Sequence, residues 1–167
     1  MYTRILVVLI LLPSLLHAQD DIIKQIQRQF VTATDNSVII LPEGTYQFNV
    51  SLWLEGRKNV TIKGAGMDKT IFNFANQISG AEGIKITNCS NIILEGLTVR
   101  DTKGDAVKTQ FVDGIHFINV KAEWTRGASS KNGGYGLYPV QCSNVLIDSC
   151  VARGASDAGI YVGQSKH

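Results

Sequence analysis

Lys85, Lys108, Tyr138 and Tyr161 each follow the first apolar residue of a phrase that recurs along the chain. If the phrases stack, two ammonium groups and two phenol rings rise in one line. Aromatic faces suit sugar rings, and cations suit the carboxylates of uronates. The chemistry open to such a line is proton abstraction beside a uronate carboxylate. Lys85, Lys108 or Arg126 would neutralise that carboxylate and lower the barrier to the anion. Tyr138 or a lysine would serve as base or acid. Loss of the O4 substituent makes a lyase, and reprotonation from the other face makes an epimerase. Tyr138, Lys108 and Arg126 are therefore the candidate catalytic groups. Lys85, Tyr161, Lys131, Trp124 and Asp105 are the candidate substrate contacts.

Such a line needs a scaffold with a fixed period. The first apolar residues Ile84, Val107, Leu137 and Ile160 are separated by 23, 30 and 23 positions. The second runs begin at Ile92, Ile115 and Val145, again 23 and 30 apart, so the internal offset is always eight. The long unit carries seven extra residues between Trp124 and Tyr135, in the stretch TRGASSKNGG. Each unit alternates apolar and polar residues in short runs broken by Gly, Asn, Asp and Ser, which is strand patterning. Three short strands and three turns in 23 residues make one coil of a parallel β-helix, and coils stack at ~4.8 Å. Sandwiches and propellers would require antiparallel hairpins and do not predict a constant offset. Stacking also predicts inward apolar columns: Ile92, Ile115, Val145; Leu94, Phe117, Ile147; Leu97, Val120, Cys150; Val99, Ala122, Ala152.

The ends are read separately. Arg4, the apolar run over residues 5–12 and the stretch ending at Ala18 read as a secretory signal over residues 1–18. It is short for a bilayer span, so no membrane span is expected once it is removed. Residues 19–36 read as a capping helix, with Asp20 or Asp21 as N-cap and Ile22, Ile23, Ile26 and Phe30 on one face. Residues 37–167 read as the β-helix, with no cap at the C-terminal end. Solenoids need capped ends, so a C-terminally truncated chain is expected. Export places the protein in the periplasm, at the cell surface or outside the cell.

The formal net charge of +2 leaves no electrostatic footprint for nucleic acid. One domain and a single copy are expected. Of the three cysteines, Cys89 and Cys142 share a column two coils apart, ~9.6 Å by strand spacing and too far to bridge. Cys150 takes a core position, so no disulfide is expected. His116 shares a column with Thr61, Ile93 and Leu146 and reads as a packed surface residue. Arg100, Glu123 and Arg153 read as a charge ladder. Glu82 and Asp105 precede the Lys/Tyr line by three residues, where they would orient a sugar, hold a cation or cap turn amides. No metal cluster has recognisable spacing. No cofactor is expected; a calcium ion is the one candidate left open, without a ligand cluster to support it.

The phrases NGGYGLYPVQCSNVLIDSC and RGASDAGIYVGQS resemble the right-handed parallel β-helix superfamily of pectate-lyase-like proteins. They are similar most of all to exported bacterial parallel β-helix repeat proteins. The resemblance implies an all-β, right-handed, single-stranded parallel β-helix and a polysaccharide partner. It extends distantly to periplasmic alginate C5-epimerases, whose Tyr-Gly-x-Asp-Pro-His-Asp signature aligns with residues 135–141. There Tyr135, Gly136 and Pro139 persist, but Tyr138, Val140 and Gln141 replace every charged member. Polygalacturonases need paired aspartates, and here Ala106 and Ala158 stand beside Asp105 and Asp157, which disfavours hydrolysis by two close carboxylates. Two readings result: an exported protein that binds and modifies acidic polysaccharide, and a non-catalytic envelope scaffold or adhesin.

Overall fold

The computed structural model describes residues 12–167, with side chains from residue 20 onward. Residues 1–11 of the expected leader lie outside the described residues. The chain forms one helix, α1 (Leu12–Thr32), and a parallel β-solenoid of five coils. The first coil is β1 (Val38–Ile40), β2 (Gly44–Gln47) and β3 (Val50–Glu55). The second is β4 (Lys58–Lys63), β5 (Thr70–Asn73) and β6 (Ser79–Thr87). The third is β7 (Ser90–Arg100) with β8 (Val107–Gln110), and the fourth is β9 (Asp113–Glu123) with β10 (Tyr135–Val140). The fifth is β11 (Ser143–Asp148), β12 (Val151–Arg153) and β13 (Ala158–Ile160).

All strand pairs are parallel, and they build three faces. One face stacks β3, β6, β8, β10 and β13. The long strands β7 and β9 each bend at a left-handed residue, Gly96 and Asn119, and so serve both other faces. The expected register holds: Ile84 pairs with Val107 and Val107 with Leu137, while Ile92, Ile115 and Val145 form one column.

Alternation decides what points inward. Ile84, Val107, Leu137, Leu94, Phe117, Leu97, Val120, Val99 and Ala122 are fully buried. Each large one contributes about 1.5–3 kcal/mol relative to exposure. Phe48, Phe72 and Phe74 close the N-terminal half of the core, with Phe48 and Phe74 stacked at 5.4 Å. Helix α1 packs Ile26 and Phe30 against this core and touches β2 and β3. It runs without a break through Asp20 and Asp21, so neither is the expected N-cap, and it ends at Thr32. The inward residues of the fifth coil, Val145, Ile147 and Cys150, are only half-buried, and Ile160 is exposed.

The corners between faces need left-handed backbone. One corner stacks Asn36, Asn59, Asn91 and Asn144 with φ of 61, 56, 52 and 53°, interrupted by Gly114 at 79°. Asn tolerates this region because its side chain bonds locally. Here it also bonds upward: Asn59 Nδ2 donates to Asn36 Oδ1 at 2.7 Å, and Asn91 Nδ2 to Asn59 Oδ1 at 3.0 Å. The three cysteines are free thiols. Cys89 and Cys142 are buried on either side of Val112, and burial raises the Cys89 pKa above the usual thiol range.

Candidate functional site

On the face built by β3, β6, β8, β10 and β13, every second side chain points outward. Lys85 pairs with Lys108, and Lys108 with Tyr138. Tyr161 follows Ile160, the partner of Leu137, and its amide donates to the Leu137 carbonyl at 3.0 Å. The four residues thus occupy consecutive rungs. Trp53 adds a fifth rung that the sequence reading missed, since it pairs with Lys85 from the first coil. It is 49% exposed, and its indole N–H donates to Thr87 Oγ1 at 2.9 Å.

Cations and neighbouring rings lie closely enough to interact. The Lys85 ammonium lies 5.9 Å from the Trp53 ring centroid, and the Lys108 ammonium 5.2 Å from that of Tyr138. Tyr138 and Tyr161 stack at 5.5 Å with 24° between their planes. Tyr135 joins them from the start of β10, 4.5 Å from Tyr138 and 5.0 Å from Tyr161. Three phenols and two lysines therefore form one continuous polar and aromatic surface.

Acids line the leading edge. Glu82 pairs with Lys85 at 3.8 Å. Asp105 Oδ1 accepts the Tyr135 amide N–H at 3.1 Å, the turn-capping role. Burial pushes the Asp105 carboxyl above the usual carboxylate range, against the opposing pull of the Tyr135 amide and Lys108. Burial, then Asp105 and Tyr161, raises the Tyr138 hydroxyl. A hydrogen bond to Asp157 is the main cause of the rise at Tyr135. Both phenols stay protonated at neutral pH, so they can donate a proton or a hydrogen bond but are poor bases.

The candidate residues divide between two places. Arg126, Lys131 and Trp124 line an open cleft of about 520 Å³ at the turn before this face, and none of the five rungs lines it. The seven-residue insertion builds the cleft. Thr125 donates its amide to Asp101 Oδ1 at 2.8 Å and its hydroxyl to the same carboxylate. Asn132 Nδ2 bridges the carbonyls of Gly127 and Gly154 at 2.8 and 2.5 Å. Trp124 is only 5% exposed and gives its indole N–H to the Thr102 carbonyl, so it is a wall of the cleft rather than a stacking platform. The Arg100, Glu123 and Arg153 column is in register, but among the described residues it makes no ion pair and Arg100 Nε is buried without a hydrogen-bond partner. His116 sits between Ile93 and Leu146, as its column requires. Among the described residues no three His, Cys, Asp or Glu side chains converge on a metal position, and no helix is long and apolar enough to cross a membrane.

No curated protein sequence matches the chain. Among solved structures it is similar to an Asp-to-Ala variant of a pectin methylesterase in complex with a hexasaccharide. That pair is 17% identical with a TM-score of 0.52, over 75% of this chain and 44% of the other. It is also similar to a Parabacteroides merdae protein assigned provisionally to the glycosyl hydrolases, at 16% identity and a TM-score of 0.50. That match covers 77% of this chain and 70% of the other. The chain spans less than half the length of the pectin methylesterase, and at these identities the likeness is one of fold. The family model for the right-handed beta helix region matches residues 45–167. The chain therefore belongs to the right-handed beta helix family.

Proposed function

We propose that the Trp53–Lys85–Lys108–Tyr138–Tyr161 ladder binds acidic polysaccharide, and that the protein does so after export to the periplasm, cell surface or medium. The observation that carries this reading is the placement of two adjacent cations between aromatic rungs on one face. Like charges directly opposite on neighbouring strands are unfavourable. Of these two lysines only Lys85 has a carboxylate within ion-pair reach among the described residues. A ligand bearing carboxylates relieves that repulsion, and the rings on either side offer faces to its sugars. The hexasaccharide held by a fold neighbour lends support in kind.

Chemistry at this face would be elimination or epimerisation of a uronate. Lys85 and Lys108 would neutralise the carboxylate, and Tyr138 would donate a proton. The non-catalytic scaffold is the second reading, and one observation favours it. Tyr138, the phenol on the ladder next to Lys108, is held protonated and so does not supply the base such chemistry needs. Affinity gels containing pectate, alginate or a neutral glucan test binding, and ultraviolet absorbance of unsaturated uronate tests elimination. Retardation on the acidic gels alone supports the ladder. Equal mobility on all three contradicts it.

A further inference from the structure

We infer that the turn cleft is a second binding site, separate from the ladder, for a single acidic sugar unit held by its carboxylate. The inference goes beyond the ladder and stands without it. Lys103, Arg126 and Lys131 all line the cleft. None has a carboxylate within ion-pair distance among the described residues. The cleft's one acid, Asp101, is already taken up by the amide and hydroxyl of Thr125. The lining sets three cations against one carboxylate in a concave site, an excess of positive charge that disfavours cationic ligands and attracts anions.

Two further features narrow the ligand. The volume of about 520 Å³ falls in the range of small-molecule sites, and the cleft is open to solvent. The lining joins the Trp124 wall and Ala75 to the amides of Asn73 and Asn132. That mixture of an apolar wall with amide donors and acceptors suits a hydroxylated ring better than a bare inorganic anion. Arginine adds the planar fork that matches a carboxylate. The insertion that forms the cleft is braced by the Asn132 bridge between Gly127 and Gly154, so Lys131 is presented next to a fixed point.

The chain contains two tryptophans, Trp53 on the ladder and Trp124 in the cleft, and their indole N–H signals separate the two sites. The full chain, labelled with nitrogen-15, is titrated with galacturonate, glucose and sodium sulfate, and separately with a galacturonate oligomer. Galacturonate is expected to shift Trp124, with glucose and sulfate leaving it in place. The double variant R126A/K131A, on an exposed loop, is expected to weaken that response at least about tenfold while Trp53 keeps its position. An unmoved Trp124 overturns the inference. So does a shift of the same size with glucose, with sulfate or in R126A/K131A. If the oligomer moves Trp53 while Trp124 stays fixed, the cleft site falls and the ladder stands. If only Trp124 moves, the ladder reading falls and the cleft site stands.

Discussion

Lys108 holds its ammonium 5.2 Å from the centroid of the Tyr138 ring, one coil along the same face. The two residues are directly paired across β8 and β10, so the contact follows from strand register and not from a flexible loop. A cation over a ring face is worth ~0.5–1 kcal/mol at an exposed site. The lysine stem is thereby oriented before any ligand arrives.

Ring and hydroxyl of Tyr138 have separable roles. Y138A is expected to weaken binding of acidic oligosaccharide by about 3–10-fold through loss of the stacking surface. Y138F keeps the ring and is expected to bind within about twofold of the parent. If elimination product forms at all, Y138F is expected to abolish it. Calorimetric titration and the product absorbance read the two effects.

Asp105 sets a pH dependence. Burial raises its folded pKa above the unfolded value, so its contribution to stability is full below the unfolded pKa. That contribution is lost as pH rises through the folded pKa. D105N removes the ionisation and keeps an oxygen to accept the Tyr135 amide. It is expected to melt above the parent at neutral pH, with the gap closing as pH falls below the folded pKa of Asp105. A gap that is constant with pH, or largest in acid, would refute the assignment.

Gly114 interrupts the asparagine corner at φ 79°, and a Cβ there would stand 2.9 Å from Asn91 Oδ1 and 3.4 Å from the Asn91 backbone. G114N restricts the unfolded chain but crowds an Asn91 side chain already held by its bond to Asn59. The urea midpoint is expected to fall, by less than in G114V. G114V, β-branched in the same left-handed conformation, is expected to destabilise.

Burial along one column predicts unequal costs. Leu94 is fully buried and Ile147 only half-buried in the fifth coil. L94A is expected to cost ~3–4 kcal/mol and I147A less than about half of that, by chemical denaturation.

The repeat was legible because stacked coils force equivalent residues into columns, and the offset of eight survives the seven-residue insertion. Trp53 was missed because the steps in the first coils drift. Val38 pairs 23 positions on, Gly44 pairs 26 on and Leu52 pairs 32 on, with a register shift after Val50. The matching alternation of SLWLEG and GIKITN was the available signal. The asparagine corner was equally visible in NVTIKG, NIILEG and NVLIDS, where Asn opens each run. The division of ladder from cleft was not legible. Column position says which residues share a face, but a turn insertion can lean to either side of its corner. Trp124 illustrates this: its spacing marks the insertion, while its burial depends on the Thr102 carbonyl that receives its N–H.

The most direct test of the ladder is the affinity of the parent and of K85A/K108A for a galacturonate oligomer, measured by calorimetry at low and high salt. The parent is expected to bind and to weaken as salt rises. K85A/K108A is expected to bind at least about tenfold more weakly, with the salt dependence flattened. Equal affinity of the two proteins, or a parent that binds no better than it binds a neutral glucan, would contradict the account.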